Sequence, residues 1–435
     1  MVGHIIGAVD DYLLATILFI FANPADPLRT SMGLVQRNLS NTFKRFFDSE
    51  KSSGILLIIC TAISLSITNS SSGVEYLSVW QRSVGGLSVE HWINDALMAI
   101  FFLLIGLELE REIYNGELSH VKDALLPIFA AIGGMVAPAL IHFSLNAGTP
   151  TQAGIGIPMA TDIAFALGVL ALLGNRIPAS LKVFVVAFAI IDDLGAIVII
   201  AVFYTAQLSV WYLVGAVTVW TLLVALNRLV RVMSLVPYVL GGALMWVLML
   251  KSGVHATIAG VMLAFAIPFS AQDDDESPSH KLEHVLHKPV AFIILPIFAL
   301  ANTGIVVGAD WMQHLTSTNS LGIAAGLIVG KPLGITLLCV VAVASGLCRW
   351  PPDLNWRHIV GAGILGGIGF TMSIFITNLA FAGNTEAINA SKMAILVASL
   401  TAGTLGFVWL KLLGNPEATD SHVDAMDLKQ PRQKQ

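Results

Sequence analysis

The sequence predicts an all-α polytopic membrane protein of twelve transmembrane helices with a small outer β-hairpin. Of its 435 residues, 56% are hydrophobic and only 12% charged, and the mean hydropathy of +0.79 is too high for an ordinary soluble fold. The apolar residues come in runs near the ~20 residues that a helix needs to cross the hydrocarbon. Lys and Arg fall on alternate connecting segments, as basic residues held on one side of a membrane do. The net charge of -5 leaves no basic stripe for a phosphate backbone, so nucleic acid is not a partner. Cys60, Cys339 and Cys348 have neither zinc-ligand spacing nor an even disulfide framework, and read as packing residues.

Residues 1–43 form an N-terminal extension. Its apolar run from Tyr12 to Ala22 is short for a span and lacks a small-residue cleavage site. Met32 offers a second start, and the amphipathic stretch through Phe46 and Phe47 suits the inner membrane surface. The twelve-helix domain, 44–413, has spans centred on 54–68, 93–109, 125–146, 153–174, 180–204, 209–226, 234–250, 254–269, 290–306, 320–347, 358–382 and 390–412. Between the first two, YLSVWQRSVGGLSVEHW places Gly85-Gly86 amid alternating residues, a hairpin signal. Its open edge suits pairing with a second copy, through Arg82 to Ser88. The run Asp273 to Glu276 and the tail 414–435 are polar and expected to be solvated and disordered, with the tail cytoplasmic.

Orientation follows from the basic residues. Only Arg82, Lys251 and Lys392 fall on outer segments and only Lys331 in mid-helix; all others of the 23 Lys and Arg lie on the opposite side. Both termini are therefore expected in the cytoplasm, with the protein multi-pass in the lipid bilayer.

Charges inside spans are the residues that carry chemistry, because each costs roughly 2.5–3.5 kcal/mol to insert at mid-helix and must have a partner, a wet cavity or a role. Asp192 and Asp193 lie deep in VVAFAIIDDLGAIVII. Adjacent helical residues point about 100° apart, so one faces a cavity squarely and the other lines a neighbouring wall. Thr161 and Asp162 in GIPMATDIAFALGVL follow Gly156 and Pro158, where a weakened helix brings hydroxyl and carboxylate to broken backbone ends. Lys331, before Pro332, is the cation at this depth, and its expected partner is a carboxylate of the fifth helix. Paired with Asp192 it stays charged; a fixed ion pair locking two helices is the structural alternative. Asp95 opens the second helix nearer the outer face, where it caps or functions.

A second interrupted helix is read at GAGILGGIGFTMSIFITNLAF, where Gly361, Gly363, Gly366, Gly367 and Gly369 precede Thr371 and Ser373. Gly363 to Gly367 alone also fits a close-packing face. This helix and the one with Asp162 are the middle members of helices ten to twelve and three to five, the pattern of inverted three-helix repeats with two crossed, broken helices.

The strings WINDALMAIFFLLIGLELERE, ATDIAFALGVLALLG, AIIDDLGAI, LKSGVHATIAG, LEHVLH, GKPLGI and GGIGFTMSIFI resemble the NhaA family of bacterial sodium/proton antiporters, over about 44 to 412. That family is itself a type example of the inverted repeat, so repeat and resemblance are one argument. The resemblance implies an electrogenic, pH-regulated Na+(Li+)/H+ antiporter of the inner membrane, a homodimer, with no cofactor. It implies ion and protons at Asp192 and Asp193, accessory roles for Asp162 and Thr161 at the crossing, Lys331 paired with Asp192 or carrying a proton, and Asp95 towards the outer side. Glu108, Arg111, Glu112, Glu283, His284 and His287 would resemble the family's cytoplasmic pH-sensing cluster. From the residues alone, the histidines equally read as a solvated inner loop or helix start. His255, near Lys251, is an accessory sensor or an interface histidine.

Na+ or Li+, as hard cations, favour carboxylate and hydroxyl oxygens, and competition with protons for one carboxylate gives exchange without an added gate. A sodium-coupled symporter of an organic anion is the nearest alternative, but the core offers it only Lys331. An intramembrane aspartyl protease needs a facing dyad, which adjacent aspartates cannot form, and a retinal-type pump has no use for twelve spans.

Overall fold

Backbone in hydrocarbon must satisfy its own hydrogen bonds, which favours helices wherever the chain is apolar. In the computed structural model, residues 50–204, 208–270, 277–308, 311–348 and 350–413 are described. The expectations for 1–43, for Asp273 to Glu276 and for the tail 414–435 lie outside the described residues. α1 (Glu50–Thr68) and α2 (Gly73–Gln81) lead into β1 (Ser83–Val84) and β2 (Leu87–Ser88). Then come α3 (Val89–Tyr114), α4 (Val121–Asn146), a 3-10 stretch Gln152–Met159 with α5 (Ile163–Leu173), α6 (Ala179–Phe203), α7 (Val210–Val230), α8 (Val236–Ser252) and α9 (Ile258–Ala264). α10 (Pro278–Asn302), α11 (Trp311–Leu315), α12 (Thr318–Ala344), α13 (Trp356–Gly366), α14 (Phe370–Ala380) and α15 (Thr385–Leu413) complete the described chain.

Each of the twelve predicted segments coincides with a helix or a helix pair, but not all are full spans. Among the described residues eight helices are long and apolar enough to cross a membrane, and the bent pairs α1/α2 (115°) and α13/α14 (45°) raise this to ten. α8, at 17 residues, is shorter. α9, at 7 residues, rises only about 10 Å. The hairpin is also narrower than the sequence suggests: Tyr76 to Gln81 belongs to α2, and only Ser83↔Ser88 and Val84↔Leu87 pair. Its turn is the one read from Gly85-Gly86, whose φ angles of 62° and 89° are those that favour glycine.

Packing is closest where side chains are absent. A Cβ on Gly133 of α4 would run into the carbonyl of Gly334 on α12, and one on Gly334 into that of Gly133, so these two helices touch backbone to backbone. Gly363 of α13 packs in the same way on the backbone of Pro332. The glycine-rich face thus does serve as a packing surface, and the helix is broken just beyond it. One apolar cluster, including Phe188, Leu327, Ile335 and Phe375, surrounds these helices. A second, with Leu107, Tyr238, Met245 and Leu263, joins α3, α7, α8 and α9. Trp211 (87% exposed), Leu229 and Leu412 (both 81%) stand on outer surfaces, which an apolar solvent would cover.

Candidate functional site

Two helix interruptions meet in the middle of the molecule. After Pro158 the 3-10 stretch gives way to extended backbone at Ala160 and Asp162 before α5 begins. α13 stops at Gly366, and Gly367 to Gly369 separate it from α14. The broken ends satisfy one another. Asp162 N donates to the Ile368 carbonyl (2.6 Å), and the Thr161 hydroxyl lies 3.0 Å from the Gly366 carbonyl. The Asp162 carboxylate accepts from Phe165 N at the start of α5 (3.0 Å) and from Thr371 N (3.0 Å) and Oγ1 (2.6 Å) at the start of α14. One buried carboxylate therefore caps two helix N-termini, where unpaired N–H groups and the helix dipole favour negative charge. Ser373 Oγ adds a bond to the Ile157 carbonyl (2.7 Å).

Beside this crossing, α12 delivers Lys331. A π-helical turn, Gly326–Gly330, runs directly into Lys331-Pro332. Proline lacks the N–H and crowds the preceding turn, and a wider turn relieves both. Lys331 Nζ donates to Asp192 Oδ2 and to Thr161 Oγ1 (2.6 Å), and Thr161 Oγ1 lies 2.7 Å from Asp192 Oδ2. All three side chains are fully buried. The sequence expectation that lysine meets a fifth-helix carboxylate is met by Asp192. Asp193, rotated away on α6, is also 0% exposed, and among the described residues neither of its carboxylate oxygens has a hydrogen-bond partner, nor does Asp192 Oδ1. Three buried carboxylate oxygens are thus available beside the Lys331 ammonium and the Thr161 hydroxyl. Such a set suits a hard cation or a proton, since an isolated buried carboxylate is otherwise very costly.

The remaining predicted residues lie towards the two ends of α3. Asp95 sits in a π-helical turn, Ile93–Leu97. It does not cap: Ser88 caps the helix, and Asp95 Oδ2 pairs with His91 Nε2 at 2.8 Å. His255 joins this end, its Nε2 3.1 Å from the Tyr204 carbonyl. At the opposite end Arg111 bridges Glu283 (2.5 Å) and Glu112 (3.2 Å), and Glu108 lies within electrostatic reach of all three and of Asp193. His287 is near enough to act on Glu283, but both His284 and His287 are exposed. His280, 3.9 Å from Glu283, and Glu110, which accepts from Ser279 Oγ at 3.1 Å, were not read from the sequence. The i−3 spacing of His280 from Glu283 is the signal that could have found it. At this end a cavity of about 700 Å³ is lined by Glu112, His120, Asp123, Lys182 and Val186. Val186 lies two turns before Asp193 on α6.

Buried charges gathered where two interrupted helices meet are the build of a secondary transporter. The model of the family described as Na+/H+ antiporter 1 matches residues 44–410. The chain is 72% identical to the Na(+)/H(+) antiporter NhaA of Dechloromonas aromatica (strain RCB) over 380 residues, covering 87% of this chain and 98% of that one. It is 59% identical to the protein of that name from Cytophaga hutchinsonii over 374 residues (86% and 96%) and 50% identical to that of Aliivibrio fischeri (strain MJ11) over 376 (86% and 98%). The chain belongs to the NhaA family of sodium/proton antiporters and is a multi-pass integral membrane protein.

Proposed function

We propose that the chain is an electrogenic Na+(Li+)/H+ antiporter of the bacterial inner membrane, exporting sodium in exchange for protons under pH control. The observation that carries this reading is Asp193, fully buried with both carboxylate oxygens unpartnered among the described residues, beside the Asp192–Lys331 pair. Family membership points the same way. A carboxylate so placed holds either a proton or a hard cation, and occupancy by one excludes the other. Thr161 and Asp162 brace the crossing, and the helix ends around them offer backbone carbonyls as further oxygen ligands.

Asp193 and the Asp192–Lys331 pair, taken as one unit, each release a proton per ion bound. More protons than sodium ions then cross, and the membrane potential drives the cycle at about 2.3 kcal/mol per charge per 100 mV. The cavity beside Glu112 and Lys182 is the cytoplasmic approach, and the hairpin end, with Asp95, is outer. Twelve spans, inverted repeats, cytoplasmic termini and a domain over 44–413 flanked by an N-terminal extension and a polar tail complete the reading. The group around Arg111 and Glu283 adjusts the rate to pH through Glu108, which lies within electrostatic reach of that group and of Asp193, with His255 an accessory sensor at the outer end.

The test is sodium-dependent dequenching of a ΔpH dye in everted vesicles from antiporter-deficient cells. Rapid dequenching by Na+ or Li+ is expected in wild type and its loss in Asp193→Asn; an inert but correctly inserted wild type ends the antiporter reading. A rate flat from about pH 6.5 to 8.5 removes the pH control. A rate indifferent to collapse of the membrane potential removes the electrogenic step.

A further inference from the structure

Three asparagine side chains join three helices at the hairpin end. Asn302, the last residue of α10 and fully buried, donates through Nδ2 to Asn94 Oδ1 (2.9 Å) in the π turn of α3 and to the Phe298 carbonyl (3.0 Å). Its Oδ1 accepts from Asn378 Nδ2 on α14 (2.6 Å). Both side-chain amide atoms of Asn302 are thus engaged, while Asn378 Oδ1 is buried without a partner among the described residues. Away from water an amide is held where it finds partners, so this chain fixes three helices relative to one another.

Its two sides differ in what else secures them. The end of α10 is stitched to α1 and α2: Ser64 Oγ and Tyr76 OH both donate to the Leu300 carbonyl (2.9 and 2.7 Å). Asn69 exchanges two bonds with Ile305 and Val307 (both 2.8 Å). α14 is gripped at its other end, where Thr371 holds Asp162. An 11-residue helix therefore runs from the exchange site to an anchored frame, and Asn378 is its joint to that frame. The leftover acceptor on Asn378 marks the incompletely satisfied side of the joint.

We propose that Asn378 is a positioning residue of the exchange reaction. Through Asn302 and Asn94 it latches α14 to α10 and α3, closes the route from Asp193 to the hairpin face, and must release when the site opens to that face. This rests on the reading of Asp193 as the exchange site. The test uses a cysteine-free full-length chain carrying Ile374→Cys, one turn nearer the site on the same face as Asn378 and buried. Adding Asn378→Ala is expected to raise labelling by a membrane-impermeant thiosulfonate from the hairpin face by about tenfold. The half-saturating Na+ concentration is expected to change at that face and not at the other. An unchanged labelling rate, or equal changes at both faces as a general loss of stability would give, overturns the proposal. Independently, Asn302→Cys/Asn378→Cys bridged by a short bifunctional thiol reagent should lose exchange and regain it on reduction. Undiminished exchange in the bridged protein also overturns the latch, whereas absence of exchange in wild type strikes the antiporter reading instead, and the labelling assay still decides the latch.

Discussion

Lys331 and Asp192 are each tolerable only because the other is present. Removing one partner of a buried pair leaves an uncompensated charge and costs about 3–5 kcal/mol, whereas replacing both with apolar residues of similar size is often neutral or better. Lys331→Met alone is therefore expected to lower the thermal unfolding temperature in detergent strongly, and Lys331→Met combined with Asp192→Leu to recover most of it. Additive losses would mean the two charges do not stabilise one another. These residues were legible because an ionised group in an apolar run is a purely local anomaly. Thr371 was visible in the sequence as a hydroxyl after glycines, but its partner Asp162 lies 209 positions away, and no local pattern links them. Asp95 shows the reverse limit: at the start of a helix an aspartate reads as a cap, and it pairs with His91 instead.

At the scale of elements, hydropathy fixed where helices occur but not their internal register. The π turns at 93–97, 226–230, 290–294 and 326–330 depend on how one residue per turn is accommodated against neighbours, which composition does not encode. Two of them nonetheless precede Pro296 and Pro332 by a single turn, so the prolines were the available sign. The hairpin was legible from Gly85-Gly86, its extent was not, because the alternation around it also fits the helix that Tyr76 to Gln81 adopts. Its open edge, with Ser83 and Val84 exposed, is proposed to pair with the same edge of a second copy. Deleting Arg82 to Ser88 is expected to shift native electrophoresis from dimer to monomer while exchange persists, since the candidate ion residues lie within one chain. An undiminished dimer band would place the contact elsewhere.

Across the whole molecule, the two ends of α3 carry different groups: His91 and Asp95 at the hairpin end, Arg111 and its carboxylate partners at the other. In the proposed account the exchange site lies between them, approached from the Arg111 end, where a cavity is lined by Lys182 and Val186, and latched at the hairpin end by the asparagine chain. A site approached from one side at a time needs only one carboxylate that cannot hold both cargoes. The most direct measurement of that claim is the half-saturating Na+ concentration of antiport in proteoliposomes as a function of pH. With competition at Asp193, lowering the pH should raise it by about tenfold per unit where one proton must leave for an ion to bind, and more steeply where the Asp192–Lys331 pair must release a second. A half-saturating concentration independent of pH, with the maximal rate alone responding, would contradict a shared site.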